Sequence, residues 1–375
     1  MKDSSKITYF LSGGGTGGHI YPVVSVLERI LKDEQTQKVY YIGNPKNLEA
    51  EILKQFQEVE FLPVNLKGMP RKFSFDFIKW LFHIEISLWR ALFYTFKYKP
   101  DVIFTTGGYV SAPIAFSTVL TKIPLMIHDC DAQPGLVSKT AAPLAKIVSV
   151  AFEESKNILK SDKIIYNGNP VREAFFSITK DKALSELNFS SDKKTILVMG
   201  GSQGAKTINS AIVGIAKTLT QDLNIQLVIQ TGKKNFDDVC AELKQLYPEF
   251  ENDKNLVVKP YFENMFIPLC ASDLVVSRAG SVSLSEICLS SSPSILIPYP
   301  HAAQDHQRKN AQNMVQRGAS LYLEDSECNK DSLFNLIKSL LDNPEKLAKM
   351  SKAADAAAKR DSAENILKQL KSIVR

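Results

Sequence analysis

Two glycine-rich strings, Gly13-Gly14-Gly15-Thr16-Gly17-Gly18-His19 and Gly200-Gly201-Ser202-Gln203-Gly204, each follow an apolar run and open a helical pattern. Glycine at such places lets the chain turn sharply after a strand and brings backbone N–H groups up to a phosphate or a sugar. In the first string Thr16 and His19 add a hydroxyl and an imidazole beside those N–H groups. An imidazole of unperturbed pKa about 6.5 is mostly neutral at cytoplasmic pH and suits general-base work. A capping or purely hydrogen-bonding role fits His19 equally well. Two such turns point to two ligands.

A third string, Ser277-Arg278-Ala279-Gly280-Ser281-Val282-Ser283-Leu284-Ser285-Glu286, runs from a strand end through small residues into a helix. A helix N-terminus with exposed N–H groups suits a diphosphate. Glu286, one turn on, offers two oxygens to the cis-diol of a ribose, or closes a capping box. Ser202 offers a hydroxyl to phosphate or caps the next helix. Arg172, in Asn169-Pro170-Val171-Arg172, is able to clamp a pyrophosphate as a bidentate guanidinium, or is solvated. The polar loop from Pro298 to Gln307 carries imidazoles and amides suited to sugar hydroxyls. Gly13-x-Gly15-x-x-Gly18 also satisfies the dinucleotide fingerprint, which makes a nicotinamide or flavin enzyme a competitor. That fingerprint wants a carboxylate at the end of the second strand, and Val39-Tyr40-Tyr41-Ile42 ends instead in Gly43-Asn44.

These strings need strands and crossover helices to hold them. Apolar, β-branched runs at Ile7 to Leu11, Val39 to Ile42, Val59 to Val64, Val102 to Thr105, Leu125 to His128, Ile147 to Val150 and Ile164 to Tyr166 alternate with helical patterns. The scheme repeats with Thr195 to Met199, Gln226 to Ile229, Leu256 to Val258, Leu274 to Val276 and Ile295 to Ile297, and helical patterns run from Lys330 onward. Such alternation predicts α/β domains with parallel sheets, two Rossmann-like lobes facing a cleft. The expected divisions are a domain over 1–168, a linker over 169–193 and a second domain over 194–375.

Lys67 to Lys99 departs from this scheme. It interleaves Phe73, Phe75, Phe77, Trp80, Phe82, Trp89, Phe93 and Phe96 with Lys67, Arg71, Lys72, Lys79, Arg90, Lys97 and Lys99. Its charges forbid a membrane span, and two readings fit the rest: a core helix with a solvated side, or a helix lying in a bilayer interface.

With 375 residues the chain is long enough for two domains, each with its own core. The five cysteines are scattered, without a CxxC pair, which suits a reduced cytoplasmic setting and no structural zinc. No signal-peptide core and no long apolar stretch points to secretion or a membrane span. The net charge of +6, from 46 basic and 40 acidic residues, is too mild to imply nucleic-acid binding.

Gly14-Gly15-Thr16-Gly17-Gly18-His19, Thr106-Gly107-Gly108-Tyr109-Val110-Ser111, His128-Asp129-Cys130-Asp131, Gly168-Asn169-Pro170-Val171-Arg172, Gly200-Gly201-Ser202-Gln203-Gly204-Ala205 and Ser281 to Glu286 follow one another along nearly the whole chain. Together they resemble the MurG family, the bacterial transferases that add N-acetylglucosamine to the lipid-linked muramyl-pentapeptide precursor of peptidoglycan. The resemblance implies the two-lobed GT-B architecture and an inverting transfer from UDP-N-acetylglucosamine to the acceptor's 4-hydroxyl, lipid I to lipid II.

It further implies a C-terminal lobe that holds the donor, with backbone near Phe262 at uracil and Glu286 at the ribose. Ser202, Ser281, Val282 and Ser283 would meet the diphosphate and Gln307 the sugar, with Arg172 and Asn209 nearby. In the N-terminal lobe Gly14, Gly15 and Tyr109 would hold undecaprenyl-pyrophosphoryl-muramyl-pentapeptide. Thr16, Gly17, Gly18 and Asp131 would also reach the donor, and His19 would be the base, with His128, Asp129 and Asp131 as alternatives. Asp131 stands where many members carry asparagine, and the loop before His306-Gln307 is one residue longer than in some.

No metal or other cofactor is implied, since helix N-termini and Arg172 can stabilise the leaving UDP. The implied setting is the cytoplasmic face of the bacterial plasma membrane, bound peripherally to anionic lipid through the Lys67 to Lys99 segment, with cell-wall and division proteins as partners. The rivals are a nicotinamide oxidoreductase, a UDP-N-acetylglucosamine epimerase and a glycosyltransferase acting on diacylglycerol.

Overall fold

A computed structural model describes residues 6–68, 70, 75–201 and 203–374. The chain forms two units, one of residues up to Arg172 together with those from Lys359 on, the other of Glu173–Ala358.

The first unit holds seven strands: β1 (Ile7–Ser12), β2 (Thr36–Gly43), β3 (Val59–Pro63), β4 (Val102–Thr105), β5 (Leu125–Asp129), β6 (Ile147–Val150) and β7 (Ile164–Tyr166). They lie in the order β3-β2-β1-β4-β5-β6-β7, with every pairing parallel. The order reverses at β1, and β1 and β4 run in register from Tyr9 opposite Val102 to Ser12 opposite Thr105. This is the switch point at which an open parallel sheet takes its ligand, beyond the carboxyl ends of the strands. All six residues of β1 are buried, as befits a strand covered on both faces. Helices α1 (Gly17–Lys32), α2 (Leu48–Ile52), α3 (Phe75–Tyr98), α4 (Ala112–Thr121) and α5 (Leu136–Ala141) supply the covers. One core sets Val23, Leu27 and Ile30 of α1 on Tyr9 and Leu11, and the other packs Phe10, Ile42, Ile103 and Ile127 under Ala91 of α3 and Ile114 of α4.

The second unit has six strands: β8 (Thr195–Met199), β9 (Gln226–Gln230), β10 (Leu256–Lys259), β11 (Leu274–Ser277), β12 (Ser294–Leu296) and β13 (Ser320–Tyr322). Their order is β10-β9-β8-β11-β12-β13, again all parallel. Helices α6 (Lys180–Glu186), α7 (Lys206–Val213), α8 (Phe236–Leu246), α9 (Phe266–Ala271), α10 (Ser281–Leu289), α11 (His306–Gln316), α12 (Lys330–Leu341) and α13 (Pro344–Ala357) surround it. The short strand β13 was not expected from sequence.

The last helix, α14 (Ser362–Ser372), corrects the division expected at 194–375, because it belongs to the first unit. Ala363, Ile366, Leu367 and Leu370 recur at helical spacing and join the core around α1. Lys371 pairs with Asp33 at 2.7 Å, and the Gln369 and Asn167 amides exchange hydrogen bonds of 2.9 and 3.1 Å.

Helix α3 carries its apolar residues the wrong way round for a core helix. Its buried positions include the small residues Ser87, Ala91 and Thr95, while Phe82, Trp89 and Phe96 are 62, 65 and 64% exposed. Ile78, Leu81, Ile86 and Phe93 are exposed with them, as are Val119 and Leu120 of the neighbouring α4. Of the charges on this segment, Lys79, Arg90, Lys97 and Lys99 are exposed, whereas Arg71 and Lys72, like Phe73, lie outside the described residues.

Candidate active site

Strand β1 ends at Ser12, and the glycine turn leads into α1 with Thr16 as its N-cap. Thr16 makes no side-chain cap bond, so the turn presents the unsatisfied first-turn N–H groups that an anion needs. Gly15 sits at φ +86°, and a β-carbon on it would lie 2.7 Å from the Tyr109 ring. His19, in the first turn of α1, places Nδ1 2.9 Å from the carbonyl oxygen of Thr106, and the Thr106 hydroxyl donates back to the His19 carbonyl. A carbonyl only accepts, so the neutral ring carries its proton on Nδ1 and its lone pair on Nε2. Gly107 and Gly108, at φ +81° and +76°, make room for this ring, since a β-carbon on Gly108 would come within 3.2 Å of His19 Cδ2. The Thr106-Gly107-Gly108 string therefore does two jobs: it turns the chain after β4 and clasps the imidazole.

Beside this, β5 ends in His128 and Asp129, both buried. His128 accepts at Nδ1 from the Ser149 hydroxyl and donates from Nε2 to Asn169 Oδ1, each at 2.9 Å. The Asn169 amide donates in turn to the Cys130 carbonyl at 3.1 Å. Burial pulls the His128 imidazole down to about 4, against the opposing bond to Asn169. Burial likewise pushes the Asp129 carboxyl up to about 6, against hydrogen bonds from Ser138 and the backbone of Asp131 and Gly135. Both nitrogens of His128 are engaged inside the unit, so it acts as a strut holding the Asn169 segment. Asp131 is half-buried one residue beyond Cys130, its N–H donating to Asp129 Oδ1 at 3.3 Å. Arg172 ends the same segment with its guanidinium carbon 5.7 Å from the centre of the Tyr21 ring on α1.

In the second unit the corresponding turns lie at the carboxyl edge of the sheet. Because β8 and β11 pair, with Met199 opposite Ser277, the turns at Gly200–Gly204 and Gly280–Ser283 are neighbours. Gly201 and Gly204 have φ of +79° and +75°, and a β-carbon on Gly204 would strike the Thr231 carbonyl at 2.0 Å. Ser202 lies outside the described residues. Helix α10 starts at Ser281 after an extended Gly280 that supplies no side-chain cap, and no acidic residue in its first turn offsets the positive end formed by the N–H groups of Ser281, Val282 and Ser283. Ser281 and Val282 are buried, Ser283 is half-buried, and Glu286 is half-buried one turn further on.

Phe262 is buried, and its N–H donates to Gln230 Oε1 at 2.8 Å, which anchors the chain after β10. Gln307 is half-buried and accepts from the Tyr299 N–H at 3.0 Å. Asn209 is buried on α7, its amide donating to the Thr231 carbonyl at 2.9 Å, so it braces the turn after β9 from beneath.

Two residues that sequence reasoning did not single out complete the machinery. Arg278, buried behind the α10 turn, donates to the carbonyls of Ile297 and Pro298 at 3.0 and 3.1 Å and pairs with Asp325 at 2.6 Å. It ties the Ser277–Gly280 turn to the loop that carries Gln307. Glu49, fully buried on α2, does the like for the first glycine turn. Glu49 belongs to no short motif, and Arg278 stands in the third string without a role of its own, because a charged residue in a helix or turn ordinarily reads as solvated. Among the described residues no group of three or more His, Cys, Asp or Glu is arranged to hold a metal ion.

Residues 9–150 match the glycosyltransferase family 28 N-terminal domain and residues 195–366 its C-terminal domain. A protein of Thermoanaerobacter sp. (strain X514), named UDP-N-acetylglucosamine--N-acetylmuramyl-(pentapeptide) pyrophosphoryl-undecaprenol N-acetylglucosamine transferase, is 37% identical over 97% of this chain and 99% of its own length. The identically named protein of Bacillus pumilus (strain SAFR-032) is 33% identical over 97% of this chain and 98% of its own length. Among solved structures, MurG of Acinetobacter baumannii superposes with a TM-score of 0.76 at 23% identity, covering 98% of this chain and 99% of that one. UDP-GlcNAc 2-epimerase from Neisseria meningitidis, solved bound to UDP-GlcNAc, reaches 0.69 at 16% identity over 98% of this chain and 100% of that one. These two structures speak for the shared two-domain Rossmann-like fold, which hosts more than one reaction.

Proposed function

The chain belongs to the family of UDP-N-acetylglucosamine–N-acetylmuramyl-(pentapeptide) pyrophosphoryl-undecaprenol N-acetylglucosamine transferases, and on that premise we propose how its residues divide the work. The protein is a glycosyltransferase that moves N-acetylglucosamine from UDP-N-acetylglucosamine onto the lipid-linked muramyl-pentapeptide, turning lipid I into lipid II.

The second unit takes the donor. The α10 N-terminus at Ser281, Val282 and Ser283 meets the diphosphate, with Ser202 from the adjoining turn. Glu286 accepts from the ribose hydroxyls, the backbone at Phe262 meets uracil, and Gln307 meets the sugar. Asn209 supports this site through Thr231.

The first unit takes the acceptor on the surface made by Gly14, Gly15 and Tyr109. Thr16, Gly17, Gly18 and Asp131 also serve the donor, and Arg172 adds a cation for the departing diphosphate.

His19 is the base, and the hydrogen bond to the Thr106 carbonyl is the observation that carries this assignment. That bond leaves Nε2 as the proton acceptor and fixes the ring plane. As the 4-hydroxyl oxygen forms its bond to the anomeric carbon, its proton passes to Nε2. The bond from that carbon to the diphosphate oxygen breaks, and UDP leaves with the electron pair. One displacement inverts the anomeric centre. His128 is a less suitable base, because both of its nitrogens are held in the interior.

The exposed apolar row of α3, continued by Val119 and Leu120 of α4 and flanked by Lys79, Arg90, Lys97 and Lys99, supports peripheral binding to an anionic membrane surface, where a polyprenyl acceptor resides. No helix among the described residues is long and apolar enough to cross a membrane.

The test is transfer of labelled sugar from UDP-N-acetylglucosamine to a short-chain lipid-linked muramyl-pentapeptide, with UDP-glucose and diacylglycerol in parallel. Product is expected with the muramyl acceptor and the N-acetylated donor alone. Retained UDP binding without any muramyl product would return the acceptor assignment to open ground.

A further inference from the structure

Glu49 is a fully buried carboxylate on the short helix α2, and the transfer reaction as laid out above gives it nothing to do. A charge taken out of water needs donors, and this one has three. Oε1 accepts from the Asn44 N–H at 3.1 Å and from the Asn47 side-chain amide at 3.3 Å, and Oε2 accepts from the Gly15 N–H at 3.4 Å. The contact is close enough to dictate sequence: a β-carbon on Gly14 would lie 2.7 Å from the Glu49 carboxyl carbon, and one on Gly43 would lie 3.0 Å from its Cγ. From Glu49 the connection runs on, because the Asn47 amide also donates to the Tyr109 hydroxyl at 3.1 Å. The Tyr109 ring in turn fills the space beside Gly15. On the other side the Tyr41 hydroxyl donates to the Gly13 carbonyl and finishes the clamp on the turn.

This arrangement changes the meaning of the glycines. The Glu49 carboxylate alone requires a glycine at 14, whatever the acceptor adds. The N–H of Gly15 is spent on Glu49, which leaves the start of α1, from Thr16 onward, as the part of the turn that offers N–H groups to a ligand.

We propose that Glu49 is a positioning residue for acceptor binding: it holds the Gly13–Gly15 turn and, through Asn47, sets the Tyr109 hydroxyl on the surface that receives the lipid-linked acceptor. The proposal rests on the reading that the first unit holds that acceptor. A glutamine at 49 keeps the shape but turns an amide donor toward one of three groups that are themselves donors, so one is left unsatisfied. The consequence falls on the acceptor, since Glu49, Asn47, Tyr109 and the Gly13–Gly15 turn all belong to the first unit, which takes the acceptor on that reading.

The experiment is steady-state kinetics of the full chain with UDP-N-acetylglucosamine and a short-chain lipid-linked muramyl-pentapeptide, for Glu49→Gln, Asn47→Ala, Tyr109→Phe and the Glu49→Gln/Tyr109→Phe pair. Glu49→Gln and Asn47→Ala are expected to raise the KM for the acceptor by roughly tenfold, with the KM for the donor within about twofold of the parent. Tyr109→Phe in the Glu49→Gln background is expected to add less than it does alone, because both act through one chain of bonds.

An unchanged acceptor KM in Glu49→Gln while Tyr109→Phe raises it would overturn the proposal and leave the acceptor reading standing. Equal rises in both KM values, or strictly additive effects in the pair, would also overturn it by assigning Glu49 to general stability. If Tyr109→Phe and His19→Ala both leave the acceptor KM and kcat at parental values, it is the acceptor reading that fails. Should Glu49→Gln not fold, Asn47→Ala cuts the same chain at its half-buried end and decides the matter alone.

Discussion

His19 Nδ1 and the Thr106 carbonyl oxygen stand 2.9 Å apart, so a backbone acceptor at the end of β4 selects the tautomer of a side chain on α1. His19→Ala is expected to lower kcat by about 10²–10⁴-fold, the usual worth of a positioned base, while UDP binding by calorimetry stays at the parental level. Gly108→Ala should approach the same defect without touching the imidazole, because its φ is +76° and its β-carbon would lie 2.5 Å from the Gly14 carbonyl. Parental turnover in His19→Ala would dismiss the assignment.

Glu286 stands one turn inside α10, where its own helix supplies no first-turn carboxylate to compete for the nucleotide. Glu286→Ala removes a charged acceptor worth about 1.5–3 kcal/mol to a bound hydroxyl pair, and the KM for UDP-N-acetylglucosamine should rise by roughly 10- to 100-fold. The acceptor KM should hold. A donor KM that does not move would place the ribose elsewhere.

The α3 surface makes a physical prediction apart from catalysis. Trp89→Ser together with Phe82→Ser deletes two side chains that are 65 and 62% exposed, so the fold should lose little stability. If each buries its apolar surface in lipid at about 1.5–3 kcal/mol, sedimentation with anionic vesicles should fall by at least tenfold. Raising salt should weaken the parent as well, through Lys79, Arg90, Lys97 and Lys99. Equal sedimentation of parent and variant would refute the membrane surface.

His128 and Asp129 are adjacent, buried, and shifted in opposite directions, the imidazole from 6.5 to about 4 and the carboxyl from 3.8 to about 6. The depressed histidine contributes stability that is present above about pH 6.5 and lost as pH falls toward 4. The raised carboxyl contributes stability that is present below about pH 4 and lost as pH rises through 6. Each amounts to about 3 kcal/mol, so across the same window they largely cancel. Relative to the parent, His128→Gln should therefore gain stability as pH falls from 6.5 to 4, and Asp129→Asn should lose it. Denaturant midpoints against pH measure both, and parallel profiles for all three proteins would contradict the shifts.

Ile366 is fully buried in the core around α1, although it lies nearly two hundred residues from the rest of that unit in sequence. Ile366→Ala should cost about 2–5 kcal/mol. By fluorescence of Trp80 and Trp89, both in the first unit, the loss should appear in that unit's transition. A loss confined to the second unit would contradict the assignment of α14.

The central strands were legible because β1, β4, β5, β8, β9 and β11 are buried along their whole length and read as largely apolar runs, Ile196-Leu197-Val198 in β8 being typical. Strand β13 escaped because Ser320-Leu321-Tyr322 is three residues long, begins with a serine and is only half-buried beyond it. Helix α14 was legible as a helix but not as a neighbour of α1, since an apolar face at helical spacing does not say which sheet it will cover. In the site, the turns were visible through their glycines and His19 through its place in the turn. Glu49 and Arg278 were not, because burial is what makes them unusual, and burial of a charge depends on partners from distant strands and loops.

The passage of the chain from the first unit into the second and back again at Lys359 orders its synthesis. Everything up to Arg172 leaves the ribosome before any of the second unit, yet the face of α1 that Ile366, Leu367 and Leu370 cover stays open until the final helix emerges. The second unit, wholly contained within Glu173–Ala358, has all of its parts first. The unit that starts first therefore finishes last, with its α1 core open while the apolar row of α3, which packs on the unit's other core, is already exposed, a period in which chaperone or membrane contact would guard against aggregation.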